Sequence, residues 1–321
     1  MTRAAAWVPF QTEAEARAVL GGGLDIDLVP FTDNQFLPAS IDRVEFLVLP
    51  YGVPQDTIFE RTHQMPRLRV IQGQMAGTDA INALVPHGVT LCNAAGVHDT
   101  ATSELAISLA LARGRHLDVY ARDQVAGQWQ PRWGVGLADA RVLIFCYGNI
   151  GRAIERRVRG FEPASITRVA SRARTEELDG EPVEVRASAD LVDLLATTDV
   201  LFIITPLTEH TRGLVNARAL AAMPDGAMVV NAGRGPIVDT DALVAECASG
   251  RLQAALDVID PEPVPADHPL RGTPNVLFSP HVGGFTNAFI PRRNALVRAQ
   301  LQRFTAGEPL ANVVTVGPLT H

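Results

Sequence analysis

Residues 141–174 read RVLIFCYGNIGRAIERRVRGFEPASITRVASRAR. The run 141–146 is apolar and long enough for one buried parallel strand. Tyr-Gly-Asn-Ile-Gly at 147–151 makes a glycine turn, and 152–159 follow as a helix with Ala153, Ile154 and Val158 on one side. A second apolar, β-branched run occupies 165–170. Strand, glycine turn, helix and strand within about thirty residues form the βαβ unit suited to a dinucleotide.

The reason is physical. A helix N-terminus offers unpaired N–H groups and a partial positive charge, which hold a pyrophosphate. Gly148 has no Cβ to keep phosphates away, and Gly151 lets helix and strand pack closely. The first glycine of the usual pattern is replaced by Cys146, giving C-x-G-x-x-G. If φ is positive there, the Cβ costs about 1 kcal/mol, and cofactor binding is expected to survive.

The chain has 321 residues, a length that fits two domains, and 47% of them are hydrophobic. A net charge of −7 argues against general nucleic-acid or membrane-surface binding. No apolar run reaches membrane-spanning length, and the N-terminus lacks a signal-peptide layout. Cys92, Cys146 and Cys247 are far apart, which suits a reducing cytoplasm and excludes a zinc ribbon. The histidines are not spaced as helical metal ligands, so no metal is expected. All 28 basic residues are arginine, which removes Schiff-base chemistry and the P-loop lysine. Any active-site cation must be arginine or protonated histidine.

Ahead of the glycine turn, 5–9, 25–31, 44–49, 68–72 and 89–93 read as strands, with helices at 13–20 and 55–63. Such alternation implies a parallel sheet covered by helices on both faces. Two loops fall at strand C-terminal ends, 50–53 and 74–77, where ligands of open α/β sheets bind; ordinary turns are the other reading. The helix at 100–112 is apolar nearly all round and should be buried, either between domains or in a dimer interface. A more polar helix is expected to continue over 113–125.

Beyond the βαβ unit the pattern repeats. Strands are expected at 200–204, 227–230, 253–258 and 276–279, and helices at 189–195, 218–223, 241–248 and 290–305, the last returning to the first domain. Three polar residues lie just past strands: Arg234, Glu262 and His281. Singly, each reads as a turn residue, a surface carboxylate or a structural imidazole. Jointly, they should share the strand edge of the glycine turn.

The segments Asn231-Ala232-Gly233-Arg234-Gly235, Leu256-Asp257-Val258 through Glu262-Pro263, and Ser279-Pro280-His281-Val282-Gly283-Gly284 resemble the D-isomer-specific 2-hydroxyacid dehydrogenases. Thr205-Pro206-Leu207-Thr208, Thr211-Arg212-Gly213-Leu214, and Gly96-Val97-His98-Asp99 through Glu104 match the same family. The similarity is clear from Gly73 to Gly284 and nearest the glyoxylate and hydroxypyruvate reductases.

This resemblance implies an α/β fold of two doubly wound parallel-sheet domains. A flavodoxin-like substrate domain (1–97 plus 286–321) would carry an inserted Rossmann domain (98–285). Arg234 would bind the substrate carboxylate and polarise its keto oxygen. His281 would exchange the proton, and Glu262 would hold the imidazole and raise its pKa. Cofactor contacts are implied for Thr102, Gly148, Asn149, Ile150, Gly151, Thr205, Pro206, Ala232, Gly233, Asp257, Gly283 and Gly284. Tyr51 would line the substrate pocket, and the loop of Gln74, Met75, Ala76 and Gly77 would offer backbone N–H groups to the substrate carboxylate.

NAD readers carry an acid at the end of the second strand. The chain instead has Ser171, Arg172 and Arg174 there, so NADP(H) is expected over NAD(H). The expected protein is a cytoplasmic homodimeric reductase of a small 2-keto acid; the alternative is a non-enzymatic, dinucleotide-sensing corepressor.

Overall fold

The computed structural model describes residues 3–34 and 36–315. Its polypeptide divides into two compact units, Met1–His98 with Thr286–His321, and Asp99–Phe285.

The first unit begins β1 (Ala5–Val8), α1 (Glu13–Leu20), β2 (Asp27–Pro30), β3 (Val44–Val48), α2 (Asp56–Glu60), β4 (Val70–Gln72) and β5 (Thr90–Cys92). The second holds α3 (Asp99–Gly114), α4 (Leu117–Val125), β6 (Arg141–Phe145), α5 (Asn149–Val158), β7 (Ser165–Ala170), β8 (Arg174–Leu178) and β9 (Glu181–Ala187). It continues through α6 (Leu191–Leu195), β10 (Val200–Ile203), α7 (Ala217–Ala222), β11 (Met228–Asn231), α8 (Thr240–Ala248), β12 (Gln253–Leu256) and β13 (Val276–Phe278). The chain then completes the first unit with α9 (Phe289–Ala306) and β14 (Val313–Thr315).

The first sheet has the order β14-β5-β4-β3-β1-β2, parallel except for β14, which runs antiparallel to β5. Apart from that edge this is the flavodoxin-like 2-1-3-4-5 arrangement. β1 and β3 are buried at every position, as central parallel strands must be. Val297 and Leu301 of α9 join Ala6, Val8 and Phe46 in one core cluster. Thr12 caps α1 by accepting the Glu15 N–H at 3.1 Å, and Gly21, at φ 93°, ends it.

The second sheet has the order β13-β12-β11-β10-β6-β7-β9-β8, parallel except for β8. Strand order reverses between β6 and β10, so the C-terminal edge there forms a ligand crevice. The loops after β6, β10, β11, β12 and β13 all open on that edge.

Two expectations need correction, and one hairpin stands where no element was expected. The helix over 100–112 does not continue through 113–125. Gly114 lies so close to the 134–135 backbone that a Cβ would sit 2.3 Å from the Val135 carbonyl oxygen, and His116 turns left-handed at φ 57°. The helix after the glycine turn begins at Asn149 rather than at 152, so Gly151 lies inside it. The stretch after 170, which shows no apolar run, forms the β8–β9 hairpin. Its turn is Asp179-Gly180, with φ of 55° and 88°, a dipeptide whose turn signal is readable in advance.

Helix α3 packs on β11, β12 and α5 within its own unit. Glu104 and Ser108 are exposed and Leu105, Leu111 and Ala112 half-buried, so its burial is one-sided.

Candidate active site

The glycine turn is built around strain and close approach. Cys146 has φ 86°, the conformation that its Cβ disfavours. Its N–H is bound to the Val169 carbonyl at 2.8 Å. Burial pushes the Cys146 thiol pKa up, against opposing hydrogen bonds from Gly148 and Thr205. Gly148 is the N-cap of α5, and a Cβ on it would meet nothing within 4 Å. Gly151 is the reverse case, since a Cβ would lie 2.3 Å from the Cys146 oxygen. The open glycine and the free first turn at Asn149 and Ile150 leave room for a pyrophosphate.

Ser171 and Arg172 are exposed beyond β7. Arg174 is tied down in β8. It forms an ion pair with Glu176 and donates to the Tyr147 carbonyl at 3.3 Å. Glu176 also pairs with Arg152. Sequence reasoning missed Glu176 because the hairpin that delivers it was missed.

After β11, Asn231 shapes the turn that carries Arg234. Its side chain accepts the Gly233 N–H at 3.0 Å and donates to the Arg234 carbonyl at 3.0 Å. The asparagine-to-backbone turn is a signal readable in sequence. Gly233 packs on Thr205, where a Cβ would come within 2.9 Å of the Thr205 carbonyl oxygen. Gly235 has no alternative either, since a Cβ would fall 1.9 Å from the Ile259 oxygen. Ala232 and Pro206 sit half-buried and exposed on these same loops.

After β12 and β13 the chain makes one interlocked loop pair. Asp257 is 2% exposed and accepts from Ser279 Oγ at 2.6 Å, the Val282 N–H at 2.9 Å and the Gly283 N–H at 2.8 Å. The Asp257 carbonyl accepts the His281 N–H at 2.8 Å. Thr102 of α3 donates to the Gly283 carbonyl at 3.3 Å, and Gly284 follows half-buried. The loop holds His281 at φ 55°.

Glu262 is fixed by the Ile259 N–H at 2.9 Å, and its other oxygen lies 2.8 Å from His281 Nδ1. That bond raises the His281 pKa above its ordinary value, against the opposing effect of burial. Burial alone would push Glu262 up, but the His281 bond, the Ile259 N–H and the charges of His281 and Arg234 bring it down. The Arg234 guanidinium therefore acts electrostatically on both members of the pair. With Nδ1 facing Glu262, Nε2 is the nitrogen left to exchange a proton with a ligand. A cavity of about 360 Å³ borders the pair and is walled by Val264, Arg271, Phe278 and Pro280.

In the first unit, Tyr51 follows β3 and stacks on Phe289 and His98, with ring centroids 4.3 and 5.8 Å apart. Met75, Ala76 and Gly77 form the loop after β4, with Met75 exposed. No group of metal-ligating side chains occurs among the described residues.

The family model for the D-isomer-specific 2-hydroxyacid dehydrogenase NAD-binding domain matches residues 107–283. Glyoxylate/hydroxypyruvate reductase B of Yersinia enterocolitica is 33% identical over 267 residues, 80% of this chain and 79% of the relative. Human glyoxylate reductase/hydroxypyruvate reductase is 32% identical over 251 residues, 76% of each. Among solved structures, an NADPH-dependent glyoxylate/hydroxypyruvate reductase from Sinorhizobium meliloti, in complex with NADP and sulfate, superposes with a TM-score of 0.79 at 25% identity. The superposition covers 98% of this chain and 100% of that one. With that profile spanning its glycine turn and its Arg, Glu and His loops, the chain belongs to the D-isomer-specific 2-hydroxyacid dehydrogenase family, near its glyoxylate/hydroxypyruvate reductases.

Proposed function

We propose that the protein reduces a small 2-keto acid of the glyoxylate or hydroxypyruvate type to the D-2-hydroxy acid, with NADPH as donor. The observation that carries this reading is the 2.8 Å contact of His281 Nδ1 with Glu262, under the influence of Arg234. Imidazolium His281 gives its Nε2 proton to the keto oxygen as C2 is reduced. Arg234 neutralises the carboxylate and draws charge onto that oxygen. Glu262 keeps the imidazole oriented and charged between turnovers. When bound, the nicotinamide supplies the hydride.

The cofactor fits the residues present. A Cβ on Gly148 would project into open space at the start of α5, one on Gly233 would come within 2.9 Å of the Thr205 oxygen, and one on Gly283 would lie 3.0 Å from Asp257. Asn149, Ile150 and Gly151 would hold the pyrophosphate, Thr205, Pro206, Ala232 and Thr102 would line the nicotinamide side, and Gly284 would follow Gly283. Asp257 has one lone pair left for the carboxamide after its three loop bonds. The absence of an acid after β7 and the exposed Ser171 and Arg172 favour a 2′-phosphate. Arg174 supports this end from its pairing with Glu176.

Tyr51 and the 75–77 loop are assigned to the substrate. A homodimer is supported by the half-buried Leu105 and Leu111 of α3 and by Trp129 and Trp133, which are 96% and 101% exposed. A cytoplasmic location is supported by the free thiols of Cys92, Cys146 and Cys247. No described helix is long and apolar enough to cross a membrane.

Purified protein assayed on a panel of 2-keto acids with NADPH and NADH tests the reading. Turnover of glyoxylate or hydroxypyruvate with NADPH preferred is expected. A clear NADH preference ends the cofactor assignment, and absence of turnover returns the corepressor reading.

A further inference from the structure

The loop after β4 is held in an unusual way. Each of its successive carbonyls accepts a hydrogen bond. The Gly73 carbonyl accepts from Gln72 Nε2 at 2.8 Å, and that of Gln74 meets His98 Nε2 at 2.7 Å. The Met75 carbonyl accepts the Ala94 N–H at 2.9 Å, and that of Ala76 accepts from Asn93 Nδ2 at 2.9 Å. In a planar trans peptide the N–H of the next residue points opposite to the carbonyl. Fixing the carbonyls of 74, 75 and 76 therefore fixes the N–H groups of Met75, Ala76 and Gly77, each directed away from the partner of its own peptide's carbonyl. Among the described residues none of these three N–H groups meets an acceptor. Three successive unused donors suit a carboxylate.

The side chain at one end of this array is His98. It is 6% exposed, and its ring stacks on Phe289 with centroids 5.2 Å apart and planes at 14°. A donor bond to a carbonyl requires the proton on Nε2, so the stack fixes the ring and the bond fixes the Gln74–Met75 peptide plane.

We propose that His98 is a positioning residue for the substrate carboxylate: it sets the Gln74–Met75 peptide so that the 75–77 amides present themselves together. This rests on the reading of that loop as the carboxylate site. His98→Phe keeps an aromatic ring against Phe289 and Tyr51 but deletes the donor. His98→Gln keeps a donor without the ring.

The expected result for His98→Phe is a keto-acid KM raised roughly five- to tenfold, with the NADPH KM and the melting temperature little changed. His98→Gln should recover part of that loss. Binding of oxalate, measured calorimetrically with and without NADPH, should weaken in parallel. An unaltered keto-acid KM and oxalate affinity in His98→Phe overturns the proposal, as does a melting temperature that falls in step with the KM effect in both variants. If wild type turns over no keto acid yet binds oxalate, and His98→Phe weakens that binding, the positioning role stands and the reductase reading fails. A wild type that neither turns over a keto acid nor binds oxalate overturns both.

Discussion

At His281 the backbone takes φ 55°, which a residue with a Cβ keeps only when its surroundings impose it. Asp257 imposes it, through bonds to Ser279, Val282 and Gly283 and through its own carbonyl. The imidazole is thereby delivered to Glu262, whose carboxylate raises its pKa. Reduction needs the imidazolium. Since the pKa is raised, that form persists to higher pH, and kcat/KM should fall only as pH climbs through the raised value. Glu262→Gln should move the fall to lower pH, and a pH–rate comparison reads it; coincident profiles would show that Glu262 does not set the protonation. Replacing His281 with Gln should lower kcat by about 10²–10⁴-fold with little change in cofactor binding. At Cys146 the strain is local. Cys146→Gly should stabilise by about 1 kcal/mol, a rise in Tm of about 2–4 °C, with unchanged NADPH affinity. Arg234, Glu262 and His281 were legible because each stands between short, distinctive neighbours just past an apolar run. Asn231 was legible from the local turn it makes with Gly233 and Arg234, whereas Glu176 was not, because its partner Arg152 lies on a separate helix.

Helix α5 shows how an element is set by one contact and one network. Gly151 abuts the Cys146 carbonyl, so Gly151→Ala must push the helix off its strand. A loss of about 2 kcal/mol in denaturant unfolding, with weaker NADPH binding, is expected. On the same helix Glu155 is fully buried and accepts from Tyr147 at 2.6 Å and Arg168 at 2.7 Å, with Arg159 at 2.8 Å. Burial, followed by Glu155, pushes the Tyr147 hydroxyl up to about 12. Burial would also raise Glu155, but Arg168, Tyr147 and Arg159 outweigh it and its net shift is downward. A depressed pKa contributes stability that is present above the unfolded value of about 4.3 and lost as pH falls through the folded one. Glu155→Gln should therefore cost about 3 kcal/mol at neutral pH, by leaving the half-buried Arg168 without its carboxylate, and the gap to wild type should narrow in acid. Helical and strand periodicity made most elements readable. The break between α3 and α4 was not, since it depends on Val135, twenty-one residues beyond Gly114.

The first unit is assembled from two segments that flank the second in sequence. Gln300 of α9 donates to Gln72 Oε1 at 2.9 Å, and β14 supplies the strand beside β5. The second unit is one uninterrupted segment with its own core clusters. A fragment spanning 99–285 should accordingly unfold cooperatively by itself, whereas 1–98 should not. Circular dichroism melts of the two fragments check this, and a cooperative transition in 1–98 would contradict it. The discontinuity also dictates a timetable at the ribosome. Residues 3–98 emerge early yet lack α9, so Val8, Phe46 and Leu28 wait uncovered while the intervening segment is translated and closes on itself. During that interval the nascent chain is a natural client for a holdase, and a stall before α9 would release a product whose first unit cannot finish folding.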